Sequence, residues 1–263
     1  MHEAIPAATL ILLRDVPGAR PEIPMVGRGA HLAFAANRTV FPGGRVDADD
    51  RRLATRAELI AGPLDLDPDD LAHRIAAIRE TIEEIGLAPG LQGVRDQDML
   101  DSLRTALRTG EALSAIVERL ALRVDPHALH PFARWRPNHE LVRRFDTRFY
   151  LARAPELGEA IADGVESSHC LWASAQQHLS TGTMIFPTAR VLERIAVAAD
   201  FTGAVALARL HPVETITPWV ERRDGVDFLC IPEGIGYPVT AEPLELVDRA
   251  LDPSKPSMTR APG

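Results

Sequence analysis

The chain has 263 residues, 46% of them hydrophobic and 5% aromatic, which is ample for the core of one large domain. Its formal net charge of −8 argues against a general nucleic-acid binder, which needs a basic footprint, and its apolar runs are far too short to span a membrane. Cys170 and Cys230, the two cysteines, make neither a disulfide framework nor a zinc spacing; they point to packing roles and a reducing, cytoplasmic setting. Met-His-Glu-Ala-Ile-Pro lacks the positive start of a signal peptide, and Arg-Ala-Pro-Gly is not a peroxisomal Ser-Lys-Leu tail.

In chain order, residues 7–14 read as a buried strand, 22–28 as a second and 37–42 as a short third running into a glycine turn. A helix is expected within 50–61. A stronger one covers 68–85, where Asp67 is the cap, Pro68 suits the first turn, Asp69 and Asp70 favour the positive end, and Gly86 closes it. Residues 97–123 have helical spacing, broken at Gly110. Strands are expected at 142–153 and 168–173, helices from Ala175 and over 187–200, and late strands at 213–220 and 226–231. From Asp252 the chain has little to bury and reads as a frayed tail.

The most informative segment is Arg79-Glu80-Thr81-Ile82-Glu83-Glu84-Ile85-Gly86-Leu87. Glu80, Glu83 and Glu84 stand at i, i+3 and i+4, on one helix face, off the stripe of Leu71, Ile75, Ile78, Ile82 and Ile85. Clustered carboxylates repel unless a cation neutralises them, and hard oxygen ligands suit Mg²⁺ or Mn²⁺. The plain alternative is a solvated acidic face. Upstream, Val40-Phe41-Pro42-Gly43-Gly44 makes a turn whose glycines let the backbone approach a ligand and expose a carbonyl. His31, His73, His139 and His178 have no mutual ligand spacing and read as surface or capping residues.

Together these segments resemble the Nudix box, Gly-x5-Glu-x7-Arg-Glu-U-x-Glu-Glu-x-Gly-U, where U is aliphatic. Gly44 matches its first glycine; Arg79, Glu80, Glu83, Glu84, Gly86 and Leu87 match its second half. Thr81 replaces an aliphatic residue. Gly44 and Arg79 stand 35 positions apart, far more than in the uninterrupted box, so an insertion falls within 45–70. The box's first glutamate has no certain counterpart; Asp50 would take its place if the insertion came later. An interrupted box is similar to that of the subgroup containing the peroxisomal coenzyme A diphosphatase. Trp135-Arg136-Pro137, the run Arg143-Arg144-Phe145-Asp146-Thr147-Arg148-Phe149-Tyr150, the spacing of Glu166 to Trp172, and Phe186-Pro187-Thr188 resemble the same subgroup.

The resemblance implies an α/β/α sandwich with a mixed sheet. It implies a domain over 1–251, with the 45–70 insertion, a helical insertion at 96–124, and 252–263 as the tail. It implies hydrolysis of a nucleoside-diphosphate-linked small molecule with Mg²⁺ or Mn²⁺. Coenzyme A or acyl-CoA is the leading substrate; NADH, ADP-ribose or a nucleotide sugar is the alternative, and a non-catalytic binding module a third. Glu80, Glu83 and Glu84 would be metal ligands, with the Gly43 carbonyl a candidate. Glu83 and Glu84 would be catalytic, and Arg79 would orient a box glutamate, unless it is only a surface ion pair. Glu166 would be an extra ligand or general base, or else a solvated loop carboxylate. Arg28, Arg38 and Arg144 are candidates for substrate contact, although Ala35-Ala36-Asn37 departs from the coenzyme A pattern and the 143–150 run favours structural ion pairing, with Asp146 against Arg144 and Arg148. No nucleic-acid or membrane partner is expected; a homodimer is plausible.

Overall fold

The computed structural model describes residues 4–29, 38–137, 145–165 and 167–251. The first half of the chain gives β1 (Ile5–Leu13), β2 (Glu22–Arg28), β3 (Thr39–Val40), β4 (Gly43–Arg45), α1 (Ala48–Leu53), α2 (Pro68–Ile85), β5 (Leu91–Gln92), α3 (Gln97–Arg108), α4 (Leu113–Arg119), β6 (Arg123–Val124) and β7 (His130–Trp135). The second half gives β8 (Phe145–Arg153), β9 (Ser167–Ser174), α5 (Ala175–Ser180), α6 (Phe186–Ile195), α7 (Phe201–Leu210), β10 (Thr215–Ile216), β11 (Trp219–Arg223), β12 (Val226–Cys230), β13 (Ala241–Pro243) and α8 (Leu244–Leu251).

The principal sheet has the order β10-β7-β8-β1-β4 and is mixed: β1 runs parallel to β8 and antiparallel to β4. Three smaller sheets are β3-β2-β9, β11-β12-β13 and β5-β6. Side chains alternate across a strand, and β1 uses both faces. Leu10 and Leu12 pack with Ile75, Ile78 and Ile82 of α2 and with the α3–α4 hairpin. Ile11 and Leu13 pack on the other side with Phe186, Val191, Leu192 and Ile195 of α6 and with Ala204 and Ala208 of α7. Helices therefore cover both faces of the central strand, and the fold is an α/β/α sandwich. Among the described residues no helix is long and apolar enough to cross a membrane.

Several expected elements differ. The third strand is two pieces: Thr39–Val40 pairs with β2, and after Pro42, which has no N–H to give, Gly43–Arg45 crosses to the edge of β1. The helix expected within 50–61 ends at Leu53 and is followed by a short 3-10 turn at Ala57–Leu59. The helix expected over 187–200 stops at Ile195, because Asp200 caps a new helix by accepting from Gly203 N–H at 2.7 Å. Pro218 separates β10 from β11 within the strand expected at 213–220. The sequence reading passed over β7, α7, β13 and α8. The tail at 252–263 lies outside the described residues.

Candidate active site

The box helix α2 begins as its sequence dictates: the Asp67 carboxylate accepts from Asp69 and Asp70 N–H at 3.0 and 3.1 Å. It ends at Gly86, whose φ of +73° is the left-handed conformation glycine adopts without strain. Thr81, on the packed side, is fully buried and donates its hydroxyl to the Ala77 carbonyl at 2.7 Å, so the substitution leaves no polar atom stranded.

At the C-terminal half of α2 the charges converge. Arg79, 6% exposed, holds Asp50 with two parallel bonds, Nε to Oδ1 and Nη2 to Oδ2, both 3.0 Å. Its Nη1 donates to Glu80 at 2.9 Å and Glu83 at 3.1 Å, and Nη2 also reaches the Arg45 carbonyl at 2.8 Å. Asp47 lies 3.7 Å away. One guanidinium thus serves four carboxylates. Asp50 is fully buried, and its helix α1 brings it against Arg79. Burial raises Asp50's pKa against the pull of Arg79. Burial, with Glu83 adding repulsion and Arg79 opposing it, pushes the Glu80 carboxyl up to about 7.

The glycine turn closes on this face. A Cβ on Gly44 would come within 2.4 Å of the Glu80 carboxylate, and one on Gly43 within 2.5 Å of the Ala8 carbonyl, so neither position admits a side chain without displacement. Gly43 N–H donates to Glu84 at 3.3 Å. In the β1–β4 ladder, Leu10 N–H bonds the Pro42 carbonyl and Val46 N–H the Pro6 carbonyl, each at 3.0 Å. Gly43 opposite Thr9 is then at a non-bonded position, and its N–H and C=O both turn off the sheet edge toward α2. Among the described residues no three acidic, histidine or cysteine side chains converge as a finished metal cage. Arg79 and the Gly43 amide hold the carboxylate oxygens instead. The donor set itself, hard carboxylate oxygens with an excess of negative charge beside an unladdered carbonyl, is chemically that of a divalent cation site.

The other sequence candidates are placed unequally. Glu166 and Arg144 lie outside the described residues, as do His31 and His139. Arg28 and Arg38 lie on the β2–β3 hairpin before the glycine turn, joined by Arg28 N–H to the Arg38 carbonyl at 2.8 Å, and the Arg38 side chain is buried. Asp146 does not pair with Arg148: it receives two bonds from Arg134 of the neighbouring strand β7, at 2.8 and 2.7 Å. Arg148 instead reaches Asp69 at 2.5 Å and Asp70 at 3.3 Å, and Tyr150 donates to Asp70 at 2.8 Å. His73 and His178 are buried rather than at the surface, each with a ring nitrogen on a backbone carbonyl (Asp69 at 2.6 Å, Ile23 at 2.9 Å).

Two residues with a local structural role escaped the sequence reading. Arg104 of α3 donates to the Glu83 and Glu84 carbonyls at 3.2 and 2.8 Å and to the Ile161 carbonyl at 2.7 Å; Arg108, one turn on, reaches the Asp163 carbonyl at 3.0 Å. They satisfy carbonyls at the end of α2 and tie to it the loop that leads to position 166. Their signal is an i, i+4 arginine pair in the helical insertion.

Comparison with known proteins gives a family likeness. The model of the NUDT19 Nudix domain matches residues 61–184. Over these residues the chain resembles the Nudix hydrolases. A Nudix hydrolase from Alicyclobacillus acidocaldarius has a superimposable crystal structure, with a TM-score of 0.66 and 29% identity over 78% of this chain and 97% of that one. The acyl-coenzyme A diphosphatase NUDT19 of Gallus gallus is 28% identical over 233 aligned residues, covering 64% of this chain and 60% of that protein. The aligned Nudix region thus spans about 60% of the curated relative's length.

Proposed function

We propose that this Nudix protein is a divalent-metal-dependent diphosphatase that hydrolyses coenzyme A or acyl-CoA to 3′,5′-ADP and (acyl-)4′-phosphopantetheine. The observation that carries the reading is the Arg79 hub: one buried guanidinium orienting Asp50, Glu80 and Glu83 beside Glu84 and a glycine turn. The substrate rests on likeness to the acyl-coenzyme A diphosphatase NUDT19.

Glu80, Glu83, Glu84 and the Gly43 carbonyl would hold Mg²⁺ or Mn²⁺. When bound, such an ion stabilises charge on the phosphoryl oxygens and lowers the pKa of water. Arg79 keeps two glutamates aimed at one place by charge-assisted bonds. Glu83, with the side chain 29% exposed, is the more accessible of the two and can exchange Arg79 for a ligand. We assign Glu83 and Glu84 to catalysis, with Glu166 as a candidate for the water's proton. Gly43 and Gly44 let the turn lie directly against β1 and the Glu80 carboxylate, a packing that a side chain at either position would obstruct. Free cysteines at 170 and 230 support a reducing compartment, which we take to be the cytoplasm.

Purified protein with Mn²⁺ or Mg²⁺, offered coenzyme A, acyl-CoA, NADH and ADP-ribose, is expected to cleave the coenzyme A compounds fastest and to stop on adding EDTA. Faster cleavage of NADH or ADP-ribose than of any coenzyme A thioester would transfer the assignment to a dinucleotide or nucleotide-sugar pyrophosphatase. Undiminished turnover in EDTA would remove the metal site.

A further inference from the structure

Glu83 and Glu84 project from the last turn of α2, where a helix has no donors of its own for its final carbonyls. Here all four of those carbonyls are taken. Gly86 N–H bonds the Ile82 carbonyl at 2.9 Å, and Ile161 N–H bonds the Ile85 carbonyl at 3.0 Å. The two between them, on Glu83 and Glu84 themselves, accept from the Arg104 guanidinium at 3.2 and 2.8 Å. The same guanidinium holds the Ile161 carbonyl at 2.7 Å, so the peptide that closes one end carbonyl is fixed by the side chain that closes two others. Its positive charge suits the negative end of a helix. Gly86 also makes the room: a Cβ there would come within 2.9 Å of Arg104 Nη1.

The α3–α4 hairpin that carries Arg104 holds α1 as well. Helix α4 begins behind Ala112, which has no side-chain oxygen to cap it. The cap comes from α1: the Asp49 carboxylate accepts from Ser114 N–H at 3.0 Å and from the Ser114 hydroxyl at 2.6 Å. Asp49 precedes Asp50, the two-bond partner of Arg79. With six residues α1 is too short to be stable alone, so whatever anchors it also places Asp50. Between the two polar ties, Leu103, Ile116 and Val117 of the hairpin share one buried cluster with Leu53 of α1 and Ile82 of α2. The chemistry described above uses neither Arg104 nor Asp49 nor Ser114.

We propose that Arg104 is a positioning residue for the glutamate site, acting through the backbone of Glu83 and Glu84. The hairpin is a brace with one polar tie on each of the two helices that meet at Arg79. A site of this kind works only within about 0.5 Å of its productive geometry, and a last turn left without donors would fray and swing both glutamates out of it. This rests on the metal-dependent reading above.

The test compares three variants. Arg104→Met keeps the length of the side chain and removes its donors. Arg104→Lys restores a cation and part of the bonding. Arg119→Met removes an arginine from the same hairpin, where its bonds go to Glu111. Electron paramagnetic resonance measures Mn²⁺ binding to the full chain, and steady-state kinetics with coenzyme A at saturating Mn²⁺ measure kcat and KM. Arg104→Met is expected to weaken Mn²⁺ binding about ten- to hundredfold and to lower kcat by a similar factor, with KM changed less than about twofold. Arg104→Lys should recover part of both losses, and Arg119→Met should match the parent. Parental Mn²⁺ affinity and kcat in Arg104→Met overturn the proposal, even if its melting midpoint falls. If Arg104→Met does not fold, Arg104→Lys decides by the same two quantities. An equal loss in Arg119→Met makes the effect one of hairpin stability and counts against the proposal. If the parent binds Mn²⁺ but cleaves no diphosphate, the diphosphatase reading fails, while weakened Mn²⁺ binding in Arg104→Met still upholds the positioning role. A parent that binds no Mn²⁺ overturns both.

Discussion

At its N-terminal end α2 carries Asp67, Asp69 and Asp70; at its C-terminal end it carries Glu80, Glu83 and Glu84. The first group is matched. Asp67 caps the helix, Asp69 meets Arg51 and Arg148, and Asp70 meets Arg74, Arg148 and Tyr150. Arg74 is anchored in turn on the carbonyls of Pro126 and Leu129. In the second group Glu80 and Glu83 share Arg79 with Asp47 and Asp50, and Glu84 accepts from Gly43 N–H. Carboxylates at similar density fasten the helix at one end and outnumber the guanidinium beside them at the other. Removing an acid from the matched end should therefore cost stability, and from the unmatched end activity.

The largest effect is expected at the unmatched end. Glu84→Gln or Glu83→Gln should lower turnover by about 10²- to 10³-fold or more, the scale of losing a group aimed at developing charge. Their melting midpoints should stay level or rise, since each removes a repelling charge. A variant with wild-type turnover in a product assay would break the comparison on its functional side. Next is Asp50→Ala, which strips Arg79 of its two-bond partner inside the protein. Breaking a buried ion pair from one side costs about 3–5 kcal/mol, and chemical denaturation should read that loss together with a fall in activity as Arg79 loses its orientation. If stability holds while activity falls, Asp50 belongs with the glutamates and not with the frame.

How much of this was legible in the sequence follows the same division. The box helix was readable to the residue, because its cap, its proline, its apolar spacing and Gly86 are all local signals. The glycine turn and the three glutamates were readable because their chemistry is unusual. Asp50 was visible only as a spacing, and its contact with Arg79 needed α1 to fold back across the insertion. Asp146 found Arg134, a residue 12 positions away on the next strand, because ladder register and not sequence distance decides which side chains face each other. Strand β7 and helix α7 were passed over for a similar reason: α7 packs on β7 and β8, which lie far earlier in the chain.

At the matched end the effects are smaller and fall on stability. Arg148→Ala removes bonds to two carboxylates on a partly exposed side chain, for an expected loss of about 1–2 kcal/mol, with kcat near that of the parent. It should also change the acid limb. Burial alone would raise Asp70's pKa, but Arg74, the Tyr150 hydroxyl and Arg148 together bring it below the ordinary 3.8. A carboxylate with a depressed folded pKa contributes stability that is complete above its unfolded value and is lost as pH falls through the folded one. The parent's urea midpoint should therefore drop below pH 3.8, and Arg148→Ala should drop less, having less to lose. The smallest effect is expected of Tyr150→Phe. The ring stays in the core, where Tyr150 is 1% exposed, and only the 2.8 Å bond to Asp70 is lost, at about 1 kcal/mol. Because Asp70 keeps Arg74 and Arg148, the helix should remain anchored and turnover intact. A Tyr150→Phe variant that lost turnover as well as stability would mean that the N-terminal end of α2 sets the aim of Glu80, Glu83 and Glu84, and the two ends would then have to be read as one device.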